Sequence, residues 1–136
     1  FNKAIELNPQ LADAYYNRGL VYKNQQQFDL ALSDFNKTIE LNPNDADAYG
    51  NRGLLYYNRQ QFDLALSDFN KTIELNPNDA DAYGNRGIVY TIKGEFFKAI
   101  IDTEKAADLY RKQENNAGYQ KAQELLKLIR QEMNKN

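Results

Sequence analysis

ADAYGNRGLLYYNRQQFDLALSDFNKTIELNPND, residues Ala46 to Asp79, decides the fold, because nearly the same text returns when the chain is shifted by 34 positions in either direction. Gln26 to Gly53 recurs unchanged as Gln60 to Gly87, a run of 28 residues, and Pro9, Pro43 and Pro77 mark the same interval. A fixed period of this length predicts a stacked array, in which each repeat buries its apolar face against its neighbours.

Inside the unit two helical patterns alternate. Phe62, Ala65, Leu66, Phe69 and Ile73 follow the i, i+3, i+4, i+7, i+11 spacing of one helical face, which reads as core. Tyr49, Gly53 and Tyr56 share a face of the preceding helix, and the aromatics read as packing between neighbouring helices. Gly53 costs about 1 kcal/mol of helix propensity relative to Ala, so its presence predicts two helices in close contact. The first helix of each pair (helix A) is expected from about Leu11 to Asn24 and from Ala46 to Asn58. The second (helix B) is expected from Phe28 to Leu41 and from Phe62 to Leu75. Asn44 and Asp45, and again Asn78 and Asp79, stand where side-chain oxygens cap an incoming helix.

The positions of Tyr49, Gly53, Tyr56, Ala65, Phe69 and Pro77 resemble the tetratricopeptide repeat (TPR) family, and they recur around Tyr15, Gly19, Tyr22, Ala31, Phe35 and Pro43 and around Tyr83, Gly87, Tyr90 and Ala99. The resemblance implies an all-α fold of antiparallel helix pairs stacked as a right-handed superhelix, an α-solenoid. It divides the chain into the second half of a truncated upstream repeat (1–11), full repeats at 12–45, 46–79 and 80–113, and a C-terminal capping helix (114–136). Thr38 and Thr72 stand where the family usually has Ala. The third repeat departs after Ala99, with Thr103 where Phe is expected and Arg111 where the proline would fall, so its helix B is expected to run on to about Lys112. The last segment places Tyr119, Ala122, Leu125, Leu126, Ile129 and Met133 on one face and Lys121, Lys127 and Arg130 on the other. Such a helix closes a solenoid with a polar outer surface.

Composition narrows the function classes. The 136 residues are 42% hydrophobic and 26% charged, with a net charge of -2 and both signs interspersed, so there is no basic stripe for nucleic acid. No apolar run reaches the roughly 18 residues of a membrane span and no segment reads as a signal peptide, so a membrane role is not expected and the cytoplasm is the expected location. Without histidine or cysteine, neither an imidazole base nor a nitrogen or sulfur metal site can be assembled. The reading is therefore not an enzyme, with no cofactor, no metal and no catalytic residues. Asp45-Ala46-Asp47-Ala48-Tyr49-Gly50 opens like a calcium loop, but Tyr49 replaces a ligand and Tyr56 stands where the bidentate Glu belongs. Asn36-Lys37-Thr38 and Asn70-Lys71-Thr72 match the glycosylation sequon inside helix B, and read as chance. The chain starts with Phe1 at a position equivalent to Phe35 and Phe69, which reads as an excised fragment. Its leading helix is expected to expose Phe1, Ala4, Ile5 and Leu7, and to end at Asn8-Pro9. A homodimer through that end, or through exchange of repeats, is a further expectation.

One arc of helix A lies away from the core. Asp47, Asn51, Leu54 and Asn58 are spaced by four, three and four, and the arc recurs as Asp13, Asn17, Leu20 and Asn24 and as Asp81, Asn85, Ile88 and Ile92. The TPR resemblance implies that these residues line the concave groove. A carboxamide offers an acceptor and two donors, so an Asn ladder can bridge the backbone of an extended peptide. Asn17, Asn51 and Asn85 with Asp13, Asp47 and Asp81 look similar to the inward ladders of TPR superhelices of the protein O-glycosyltransferase kind. The chaperone-binding TPR clamp adds Lys and Arg around a C-terminal carboxylate; here Asp13, Asp47 and Asp81 occupy cationic clamp positions and Tyr16, Gly50 and Gly84 another. Gly50 and Gly84 in mid-helix would open the groove floor. The expected function is a non-catalytic protein-protein interaction module binding an extended, basic peptide or partner segment. The alternative is a structural spacer or self-assembly scaffold within a larger protein.

Overall fold

The computed structural model describes residues 2–7 and 10–135. Among them eight α-helices follow one another and no strand occurs: α1 (Asn2–Leu7), α2 (Ala12–Asn24), α3 (Phe28–Leu41), α4 (Ala46–Asn58), α5 (Phe62–Leu75), α6 (Ala80–Ile92), α7 (Phe96–Lys112) and α8 (Asn116–Asn134). Each helix packs on the next, most extensively within the pairs α2–α3, α4–α5 and α6–α7 and between α7 and α8. This is a helical-repeat solenoid.

The sharp turns inside the pairs, and the one between α7 and α8, are Schellman motifs. Gln26, Gln60 and Glu114 adopt φ of 60°, 61° and 58°, and Gly94 takes 77° at the matching position of the third pair. The amide after each donates back to a tyrosine carbonyl, as Gln27 N does to Tyr22 O at 2.8 Å and Gln61 N to Tyr56 O at 2.9 Å. Capping follows the sequence in part. Asp45 and Asp79 accept from the amides of Ala48 and Ala82, both at 3.1 Å. Asn44 and Asn78 do not cap: their own amides are held by the Asn42 and Asn76 side chains at 3.3 Å, which fixes the loop and leaves capping to the aspartates. Leu11, expected at the start of α2, stands one residue before it with extended backbone (φ -81°, ψ 98°) and supplies no side-chain cap.

The core is modular. Ala31, Phe35 and Leu55 form one buried cluster, and Ala65, Phe69 and Val89 form its copy one period later. Leu55 and Val89 come from helix A of the following repeat, so each cluster joins two repeats. A Cβ added at Gly53 would lie 2.7 Å from Phe69 Cε1, and one at Gly19 2.8 Å from Phe35 Cε1. The glycines therefore permit the close approach that outweighs their helix cost. Thr38, Thr72 and Thr103 are buried without penalty, since their hydroxyls donate to Asp34 O, Asp68 O and Ala99 O at 2.8, 3.0 and 2.7 Å.

A second ladder, not legible from hydrophobic periodicity, ties the repeats together. Arg52 donates from Nε and Nη2 to the Asp68 carboxylate at 2.9 and 2.8 Å, and from Nη1 to Asn36 Oδ1 of the preceding repeat at 3.0 Å. Arg18 with Asp34 and Asn2, and Arg86 with Asp102 and Asn70, repeat the arrangement. Tyr49 and Tyr56 flank Arg52 with ring centroids at 5.6 and 5.7 Å, and Tyr15, Tyr22, Tyr83 and Tyr90 flank the other two arginines. These tyrosines are half-buried; Tyr22 and Tyr56 pack against the core clusters as the sequence suggested, and all six also cover a cation.

The two ends differ. Ala4 and Ile5 are half-buried, not exposed, and the expectations for Phe1, the Leu7 side chain and Asn8-Pro9 fall outside the described residues. At the other end α8 buries Ala122, Leu126 and Ile129 against α7 as expected. Lys121, Lys127 and Arg130 are exposed as expected, and Lys121 also lines a cleft. No described helix is long and apolar enough to cross a membrane.

Candidate functional site

The three arcs of α2, α4 and α6 sort by exposure. Asp13, Asn24, Asp47, Asn58, Asp81 and Ile92 are exposed, and Asn17, Leu20, Asn51, Leu54, Asn85 and Ile88 are half-buried. Leu20 and Leu54 lean onto the two core clusters, so they serve packing.

The asparagines are not equivalent. Asn51 is held inside the protein: its Nδ2 donates to Tyr16 OH at 3.1 Å and to Asp47 O at 3.0 Å, while its Oδ1 accepts from Lys23 Nζ at 2.9 Å. One period on, the residues matching Tyr16 and Lys23 are Gly50 and Tyr57. Neither can reach out in the same way, since Gly50 has no side chain and the Tyr57 ring packs on Phe62 at 5.8 Å. Asn85 accordingly makes no side-chain hydrogen bond to another described residue, and neither does Asn17. The same substitution leaves the helix lightly covered: a Cβ at Gly50 would meet Thr72 Oγ1 only at 3.5 Å, and one at Gly84 would meet Ala106 Cβ at 3.8 Å.

Two recesses meet at Asn85. A small one of about 150 Å³ between α4 and α6 is lined by Asp47, Asn51, Thr72, Asp79, Asp81 and Asn85 among others. A larger cleft of about 460 Å³ lies between α6, α7 and α8, with Gly84, Asn85, Ile88, Ala106, Tyr110 and Leu125 in its walls. Asp81 and Asn85 belong to both. The cleft is wide because the period breaks there. Thr103 replaces the phenylalanine that fills the corresponding space in the repeats before, and α8 presents Ala117, Gly118 and Ala122.

The electrostatics are acidic. Burial pushes the Asp79 carboxyl above its ordinary range, and the charges of Asp81 and Asp47 add to that, against the lowering bond from Ala82 N. Tyr110 OH donates to Asp81, and burial followed by that carboxylate pushes the phenol well up. Burial lowers the Lys23 ammonium. Burial, then Asp47 and Asp45, raises Tyr16, with the Asn51 bond acting in the opposite sense.

Tyr110, Lys121 and Asp79 were missing from the site read in the sequence. The available signal was the end of the repeat: the helix running past the missing proline carries Tyr110 back over Asp81.

One family model for the tetratricopeptide repeat matches residues 12–45 and 46–79, and a second model of the same description matches 69–101. The chain belongs to the tetratricopeptide repeat family. Among solved structures this TPR chain is similar to the complex of the TPR2B domain of yeast Sti1 with pHsp70, with a TM-score of 0.83, 23% identity, and 89% of this chain and 97% of that one covered. It is also similar to the first TPR of Spaghetti (RPAP3) bound to the HSP90 peptide SRMEEVD, with a TM-score of 0.81, 26% identity, and 90% and 92% covered. No curated protein sequence matches the chain.

Proposed function

We propose that the chain is a non-catalytic interaction module that holds an extended, basic peptide or partner segment along the groove of α2, α4 and α6. The observation that carries this is Asn85, a half-buried carboxamide that makes no side-chain hydrogen bond among the described residues and stands in the wall common to two recesses. A strand laid there can donate to its Oδ1 and accept from its Nδ2. The likeness to TPR structures bound to chaperone peptides supports a peptide ligand, but the charge differs. SRMEEVD is acidic, whereas Asp47, Asp79 and Asp81 crowd one recess of this groove. An acidic tail is repelled and a Lys or Arg side chain is attracted.

At about 0.5–1.5 kcal/mol net per hydrogen bond, before the ordering cost of the peptide, the ladder supports micromolar or weaker binding. The test is affinity capture followed by titration of the retained peptide. Changing Asp13, Asp47 and Asp81 together to Asn should weaken binding and remove most of its salt dependence, because charges at an open groove are screened beyond about 10 Å at 0.1 M ionic strength. Asn85→Ala should weaken binding at every salt concentration. Unchanged affinity in both variants, with folding intact, would place the ligand elsewhere.

A further inference from the structure

The larger cleft has properties that an Asn ladder does not require. Its floor is apolar and small, built from Ile88, Ala106, Ala122 and Leu125 with the Tyr110 ring at one side. Its counterpart one period earlier, where Phe69 and Thr72 stand at the places of Thr103 and Ala106, has only about 150 Å³, so the wide form belongs to one end of the groove. Its volume of about 460 Å³ accommodates a leucine- or phenylalanine-sized side chain together with its backbone. It opens directly onto the acidic recess through the shared residues Asp81 and Asn85.

We infer that this cleft is the anchoring subsite of the groove, taking a bulky apolar side chain of the bound segment while the recess of Asp47, Asp79 and Asp81 takes a Lys or Arg side chain one or two positions away, with Asn85 on the backbone between them. The inference rests on the proposed groove function and names its ligand class. Charge complementarity selects the occupant: Asp47 and Asp79 line the small recess only, Asp81 stands in the shared wall, and the apolar floor lies in the cleft beyond it, so a segment with an adjoining cation and large aliphatic or aromatic residue satisfies both. Lys121, at the cleft rim, stands clear of the acidic recess, since it lines the cleft alone. Tyr110 orients the carboxylate of Asp81 by its hydrogen bond, which holds the wall between the two recesses in place.

The probes are four nine-residue peptides, acetylated and amidated, built on Thr and Ser and differing in two central positions: Lys-Leu, Lys-Ser, Ser-Leu and Glu-Leu. Their affinities for the whole chain are read by NMR titration, which reaches millimolar constants. Lys-Leu should bind at least tenfold tighter than Lys-Ser, as expected for burying one leucine, and several-fold tighter than Ser-Leu, with Glu-Leu the weakest. Gly84→Leu grows a side chain into the cleft where a Cβ has room, and should reduce Lys-Leu to the affinity of Lys-Ser while the thermal melt shows an intact fold. If Lys-Leu binds no tighter than Lys-Ser in the unsubstituted chain, the anchor is wrong and the groove stands. If Ser-Leu equals Lys-Leu, the acidic recess takes no cation and the inference fails. If no peptide binds up to millimolar concentration, both the anchor and the groove fail.

Discussion

Gly50 and Gly53 sit three residues apart on one helix and should respond in opposite ways to the same methyl group. At Gly53 the new Cβ would lie 2.7 Å from the Phe69 ring, so Gly53→Ala should destabilise by about 1–3 kcal/mol despite its better helix propensity. At Gly50 the nearest atom is 3.5 Å away, and Gly50→Ala should stabilise by up to about 1 kcal/mol. Urea melts of the two variants check both signs. Asp79 supplies a pH-dependent case. Burial raises its carboxyl in the folded state, so the stability tied to its proton is full below the unfolded-state value and lost as pH rises through the folded one. Asp79→Asn keeps a capping oxygen for Ala82 and removes the buried charge. The melting temperature of the variant relative to the parent should therefore be higher at pH 7 than at pH 3, and the difference should shrink as pH falls. Equal differences at both values would contradict the burial effect. At this scale the sequence spoke for Gly53, whose helix cost demands a packing reason. It was silent on Asn51 and Asn85, identical in text and period, because their difference depends on Tyr16 and Lys23 reaching across from another repeat.

The helices themselves were legible because pattern and punctuation agree. The apolar spacing of Phe62 to Ile73 gave the face, and Asp45 and Asp79 gave the starts of α4 and α6. The turn geometry was not legible: Gln26 and Gln60 hold positive φ, a conformation a glutamine reaches only at a cost, while Gly94 occupies the matching place in the third pair freely. Gln60→Gly should therefore stabilise the chain by a few tenths to about 1 kcal/mol, offset in part by the freer unfolded chain. A lower melting temperature in a calorimetric scan would show that the Gln60 side chain matters more than its backbone. The element-scale surprise is the end of α7. Arg111 in place of the proline foretold its length, but not that Tyr110 would bond Asp81 and help to shape a cleft with α8.

As a whole the molecule is an array whose repeats are joined twice, by apolar clusters and by the Arg-Asp-Asn ladder between tyrosines. Asp68 is 4% exposed and its partner Arg52 21% exposed, so Arg52→Ala strands a buried carboxylate. It should cost about 2–4 kcal/mol, and adding Asp68→Ala should recover part of the loss in the same denaturant series. Full additivity of the two changes would contradict the pairing. The period revealed this architecture because copying preserves the apolar clusters and the Arg-Asp-Asn ladder that join the repeats. It concealed the place where function would be sited, because the cleft arises where the copying stops, at Thr103 and in α8. Binding in the groove is tested most directly by titrating the Lys-Leu peptide into isotope-labelled protein and following every backbone amide. A ligand in the groove should shift Asp47 and Asn51, the stretch from Asp81 to Ile88, and Lys121 to Leu125 together, saturating with one constant. Shifts confined to the face of Tyr49, Arg52, Asp68 and Lys71, or no shifts at millimolar peptide, would contradict it.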